Sequence, residues 1–165
     1  RQTVERRRTA VVLEGRCSAQ ETLPYKALDG VVDSLANYLL LLSKEAVVRL
    51  IPRHVADLVQ LFTVLRRVPA FEGAAARIAD LPDVQKLEQR AFHALRELLG
   101  KVADQRPLLI FIDDLQWGDA ASAAALRRIL MGAGAPGLLL LGAYQSEGVD
   151  NGAFLTEFDA SADGR

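Results

Sequence analysis

The fold is decided by residues 108–119, which read LLIFIDDLQWGD. The first five residues form an unbroken apolar run, which is typical of a short strand buried inside a sheet. Two adjacent acids, Asp113 and Asp114, end the run. Two interpretations remain open at this point. The acids could meet a metal-bound phosphate beyond the end of the strand, or they could simply turn the chain and accept backbone N–H groups.

The residues on either side of this stretch predict a parallel sheet. A second apolar run, GLLLLGAY, occupies residues 137–144, and an Ala-rich segment ended by Gly and Pro lies between the two runs. This segment predicts a helix over 120–131, with Asp119 as its N-cap. Residues 9–14, TAVVLE, predict an earlier strand that Gly15 ends. Strand, helix and strand in this order predict an α/β fold with a parallel sheet covered by helices on both faces.

The segment between the first and second strands is predicted to be helical. Apolar residues recur at helical spacing after Pro24, and Pro52 separates two shorter helices. We expect helices over 44–50, 55–67 and 83–103, and either a loop or a weak helix over 68–82. Residues 2–8 are expected to be the charged end of a further helix.

Composition and charge exclude several classes of function. The chain has 165 residues, of which 50% are hydrophobic and 25% charged, as expected of one folded domain. A net charge of −1 and the lack of a basic stripe with interleaved aromatics argue against direct nucleic-acid binding. The apolar runs are too short to span a membrane. The single Cys17 excludes an intrachain disulfide, fits a reducing cytoplasm and is predicted to be structural.

The predicted strand ends bring candidate site residues together, because ligands of parallel sheets gather at the carboxyl ends of the strands. The first strand delivers Gly15 and Arg16, and the last delivers Tyr144 and Gln145. Asp113 is predicted to bind Mg²⁺, through water, since that cation keeps several of its waters. Asp114 points elsewhere and is predicted to polarise an attacking water. The two histidines, His54 and His93, lack metal-ligand spacing and are predicted to be structural.

Five segments carry a resemblance to a known family. Residues 108–119, the helix after them and residues 138–147 (LLLLGAYQSE) resemble the Walker B and sensor strands of AAA-like and STAND signalling ATPases. Residues 12–39, with their Gly-Arg-Cys turn and PYKAL helix start, and the 89–99 helix resemble the same group. These are the ATPase domains found beside serine/threonine kinase, cyclase or transcription-regulator modules in large bacterial proteins. The resemblance covers nearly the whole chain.

The resemblance implies an additional-strand P-loop fold with three α/β/α layers, and ATP and Mg²⁺ as cofactors. It makes Asp113 the metal ligand and Asp114 the catalytic acid. Gln116, Trp117 and Asp119 match the extension after the acids, and Gln116 and Trp117 are assigned to the cofactor site. For Trp117, packing near the site is favoured over stacking on the base. The implied partners are ATP and other domains of the same polypeptide, such as a kinase or cyclase module, in the cytoplasm.

Two features depart from that family. The phosphate loop GxxxxGK[ST] is absent from the 165 residues; Gly100-Lys101 lies in a predicted helix and precedes Val102. We therefore expect residues 1–158 to be a partial AAA-like ATPase domain that lacks the Walker A loop upstream and the lid downstream, inactive alone, with 159–165 a disordered tail. Gln145 replaces an Arg of the family and is assigned a catalytic role, because its amide can orient water or a phosphate oxygen. The alternative is a non-catalytic interaction or scaffold domain, whose helical block over 25–105 contacts a partner.

Overall fold

A computed structural model describes residues 9–20, 24–75, 84–132, 134–145 and 152–159. Three strands form one parallel sheet in the order β1 (Val11–Arg16), β2 (Leu108–Asp113) and β3 (Leu138–Gly142). The strand that ends in the two acids is therefore central, as predicted, and the α/β class is confirmed. Residues 1–8 and 160–165, predicted as a helix end and as most of a disordered tail, lie outside the described residues.

Helices fill the connections. The α-helices are α1 (Lys26–Leu40), α2 (Lys44–Leu50), α3 (Val55–Leu61), α4 (Pro69–Ala75), α5 (Val84–Ala103), α6 (Ala120–Leu130) and α7 (Ala153–Asp159), and 3₁₀ turns span Thr63–Arg67 and Leu115–Trp117. The single helix predicted over 55–67 was wrong in its second half. The α-helix ends at Leu61, because the φ of −117° and ψ of 85° at Phe62 are not helical, and a 3₁₀ turn follows.

Helices of the described residues cover one face of the sheet. Leu13, Ile110 and Ile112 point to that face and are at most 1% exposed. The opposite face carries a row across the three strands, where Val12 pairs with Leu109 and Leu109 with Leu139. Val12 is 45% and Leu139 57% exposed. Helices were predicted to cover both faces of the sheet, and within the described residues they cover one face.

The contact between β1 and α1 is made close by two glycines. A Cβ on Gly15 would lie 2.9 Å from a methyl group of Val31, and a Cβ on Gly30 would lie 2.9 Å from the Cα of Gly15. Neither separation is sterically allowed, so both positions need glycine. Because α1 rests directly on the end of β1, its first turn lies beside the residues that follow the strands.

Candidate functional site at the carboxyl end of the sheet

The ends of the three strands are joined by backbone hydrogen bonds just past the sheet. Cys17 donates its N–H to the Asp113 carbonyl over 3.0 Å. Ala143 donates to Ile112, and Leu115 donates to Ala143, each over 2.9 Å. These bonds extend the ladder beyond the strands, so the chain segments after β1, β2 and β3 stay together. The prediction that the strand ends converge is confirmed.

Asp113 and Asp114 separate at the end of β2. Asp113 is the last residue of the strand and is paired in register with Arg16. Asp114 has a left-handed backbone, with φ 56° and ψ 40°, and one Asp113 oxygen accepts its N–H over 2.9 Å. A positive φ is uncommon outside glycine and tolerated best by Asn and Asp. It sends the Asp114 side chain in a direction that an extended residue could not reach.

Arg16 forms an ion pair with Asp114. The guanidinium Nε donates to Asp114 Oδ2 over 2.7 Å, and the Arg16 side chain is 75% exposed while that of Asp114 is 16% exposed. This hydrogen bond, with one from Gln116, holds the pKa of Asp114 below its ordinary range, and the same bond raises the pKa of Arg16. Asp114 is therefore ionised at neutral pH, as a residue that accepts a proton from water must be. The sequence placed Arg16 at this edge but did not predict the pair.

Gln116 is buried beneath the two acids, with 5% of its surface exposed. Its Nε2 donates to Asp114 Oδ1 over 3.0 Å, and its Oε1 accepts the backbone N–H of Gln145 over 3.1 Å. Gln116 thus bonds both predicted catalytic residues. Gln145 itself is exposed, and its described bond is through the backbone.

Asp119 caps two helices at once. It accepts the N–H of Ser122 over 2.8 Å at the start of α6, which confirms the predicted N-cap. It also accepts the N–H groups of Tyr25 and Lys26, over 3.3 and 3.0 Å, at the start of α1. Ser122 Oγ accepts the next N–H, from Ala27, over 3.1 Å. Tyr25 has a left-handed backbone, with φ 69°, and supplies no side-chain cap of its own.

Trp117 borders an open cleft beside Asp114. The cleft has a volume of about 430 Å³ and is lined by Arg16, Cys17, Ser18, Ala19, Asp114 and Trp117. The Trp117 residue is 44% exposed, so part of its ring surface is available to a ligand, whereas Cys17 is buried. A second cleft of about 560 Å³ lies between the sheet and α1, and its lining includes Asp113, Arg16 and Glu14 of the strands. Arg16 thus borders both clefts.

The donor set at Asp113 fits a magnesium ion of the kind predicted. One carboxylate oxygen accepts the Asp114 N–H, which leaves further lone pairs for a hydrated cation. Mg²⁺ is usually held by one or two carboxylates together with waters and substrate phosphates. Among the described residues, no three His, Cys, Asp or Glu side chains converge on one point. A closed protein cage is therefore not found in that part of the chain, and a single open carboxylate is the arrangement that magnesium tolerates.

The two histidines, which belong to separate helical segments, are neighbours in space. The rings of His54 and His93 lie 6.4 Å apart between centroids, where α3 packs on α5. The α3–α5 contact could not be foreseen from spacing along the chain. Helix α7 was also not predicted. Its Phe154 is buried and lies against Gly118, where an added Cβ would be 2.9 Å from the Phe154 Cβ.

A family model described as the AAA ATPase domain matches residues 1–141. No curated protein and no solved structure matched the chain. Within the described residues, none of the helices combines the length and the apolar character needed to cross a membrane.

Proposed function

Because the chain belongs to the AAA ATPase domain family, we propose that the edge formed by Asp113 and Asp114 is the Walker B side of an ATP site in a signalling ATPase. Domains of this family bind nucleotide through a P-loop fold, to which the three-stranded parallel sheet corresponds. The observation that carries the proposal is the pair of acids at the end of the central strand, one in register with β1 and one turned away by a left-handed backbone.

In this proposal the two acids have different roles. Asp113 holds the hydrated magnesium ion of Mg-ATP, and Asp114, ionised at neutral pH, orients the attacking water and accepts its proton. Magnesium, when bound, neutralises charge on the phosphate oxygens. Gln145 follows the neighbouring strand, where its amide can orient water or a phosphate oxygen. Trp117 supplies an exposed aromatic face to the nucleotide, whereas both polar side-chain atoms of Gln116, predicted from the sequence to contact the cofactor, are bonded within the protein.

A site of this kind is incomplete without a phosphate loop, which supplies the N–H cradle and the Lys for the triphosphate. We propose that this loop belongs to the same polypeptide, that the 165 residues alone do not hydrolyse ATP, and that the domain acts in the cytoplasm. The partners that we propose are further domains of that polypeptide, such as a kinase or cyclase module.

The second candidate is a non-catalytic scaffold domain. It is favoured by the two side chains that occupy both oxygens of Asp114, Arg16 on one and Gln116 on the other. Under that interpretation the ion pair is a permanent structural contact, and nothing at the edge binds nucleotide.

Binding of ATP separates the two candidates. The protein to use joins these residues to the phosphate loop, and the measurement is isothermal titration with ATP, with and without Mg²⁺. We expect magnesium-dependent binding that Asp113→Asn weakens roughly ten- to hundredfold, as loss of a magnesium-positioning group does. The matched control is Asp104→Asn, at an exposed acid beyond the end of α5. No binding by the unsubstituted protein, or equal binding by Asp113→Asn, would refute the magnesium assignment.

A further inference from the structure

A buried amide connects the end of β2 to the end of β3. Gln116 is 5% exposed, and a buried amide is stable only when its polar atoms are hydrogen-bonded. Both atoms are satisfied, Nε2 by Asp114 and Oε1 by the Gln145 N–H. The two partners lie 31 positions apart in the sequence, and no backbone bond joins them directly in the described ladder.

Only one orientation of this amide forms hydrogen bonds with both partners. The Asp114 oxygen lies at hydrogen-bond distance as an acceptor, and the backbone N–H of Gln145 can only donate. The NH₂ of Gln116 must therefore face Asp114, and its oxygen must face Gln145. A Glu at this position would still accept from Gln145 but would place a second negative charge beside Asp114. A Leu would lose both bonds.

The surroundings leave Gln116 little freedom. Its neighbour Leu115 is bonded to Ala143 over 2.9 Å, which fixes the turn to the exit of β3. On the other side, Gly152 approaches so closely that a Cβ there would lie 2.5 Å from the Gln116 carbonyl oxygen. The backbone at 116 is thus enclosed on two sides, which restricts where its side chain can lie.

From this geometry we infer that Gln116 is a positioning residue, which couples the chain segment at Gln145 to the carboxylate of Asp114 rather than contacting nucleotide itself. The inference rests on the proposed function, in which Asp114 is the catalytic acid. A ligand that moves the segment after β3 then also moves the Gln116 amide that donates to Asp114. Gln116 acts on hydrolysis through Asp114.

The first test needs no nucleotide. Hydrogen exchange of the Gln145 amide is measured by NMR in the 165-residue chain, for the unsubstituted protein and three variants. Gln116→Leu should speed exchange by roughly three- to tenfold, the effect of losing one net hydrogen bond. Gln116→Glu keeps the acceptor and should leave exchange within about twofold. The control is Gln89→Leu, at an exposed glutamine on α5, which should change nothing.

The second test distinguishes positioning from contact. In the protein that includes the phosphate loop, both Gln116 variants should lower kcat roughly ten- to hundredfold, the effect of a misplaced catalytic group, while KM for Mg-ATP stays within about twofold. A raised KM with unchanged kcat, or unchanged Gln145 exchange in Gln116→Leu, would overturn the inference. If the unsubstituted protein has no turnover, the proposed function fails, while the exchange rates still report whether the Gln116 link exists.

Discussion

The turn after β2 and the start of α6 each carry an acid with a lowered pKa, but the two acids, Asp114 and Asp119, bind different kinds of partner. Asp114 accepts from two side chains, one of them on the exposed Arg16. Asp119 accepts from three backbone N–H groups and the Ser122 hydroxyl. The exposed Arg16 side chain can rotate away from Asp114, whereas a backbone N–H at a helix start leaves only if the helix moves. Asp119 therefore has a structural role, whereas the bond from Arg16 to Asp114 can be exchanged during the proposed reaction.

The largest effect on stability is expected at Asp119. Asp119→Ala removes a cap from α6 and two more acceptor contacts from the start of α1. We expect the free energy of unfolding to fall by about 2–3 kcal/mol, because a lost cap costs about 1–2 and the orphaned N–H groups add to it. Urea unfolding followed by circular dichroism measures it. Asp119→Asn, which keeps an acceptor oxygen, should lose less, and an unchanged midpoint for the Ala variant would contradict the assignment.

The Asp119 contribution should depend on pH. Burial acts to raise the pKa of Asp119, but the hydrogen bonds from Ser122, Tyr25 and Lys26 together lower it below its ordinary value of 3.8. A lowered folded pKa means that the stabilisation is full above the unfolded value and is lost as the pH falls through the folded value. The stability gap between the unsubstituted protein and Asp119→Asn should thus be largest near neutral pH and close in acid. A gap that is constant from neutral pH into acid would contradict this account.

The smallest effect is expected at Asp114. Its pair with Arg16 is open to solvent on the Arg16 side, and such pairs contribute little to stability. Asp114→Asn and Arg16→Met should therefore unfold at the same urea concentration as the unsubstituted protein, within error. A loss by either variant as large as that of Asp119→Ala would make the ion pair a structural contact, and it would favour the scaffold interpretation.

Much of the architecture could be predicted because local rules govern it. The apolar run before Asp113 had the short length and the composition of a buried strand, and Asp119 was a preferred N-cap residue directly before an Ala-rich helix. The predictions for α2 and α5 were confirmed to within one residue. The break at Phe62 was missed because the apolar period continues through Leu65 while the backbone does not remain α-helical.

The site was predictable in outline and not in its contacts. Strand order places Arg16 near Asp113, but the pair with Asp114 depends on the left-handed backbone of Asp114, which no spacing rule predicts for an Asp-Asp sequence. The role of Asp119 at the start of α1 required the packing of α1 beside α6. The buried bonds of Gln116 likewise join segments that are distant in the sequence. Local pattern predicts residue types at an edge, whereas tertiary packing selects their partners.

The central claim is that Asp114 acts in catalysis whereas Asp119 has a structural role. Release of phosphate from ATP tests this claim most directly. ATP hydrolysis is compared between the unsubstituted protein and Asp114→Asn, in the polypeptide that carries the phosphate loop, with Asp104→Asn as the control. The account predicts that Asp114→Asn remains folded and binds Mg-ATP but hydrolyses it at least about a hundredfold more slowly, as loss of a general base does. Hydrolysis by Asp114→Asn at the rate of the unsubstituted protein would contradict it.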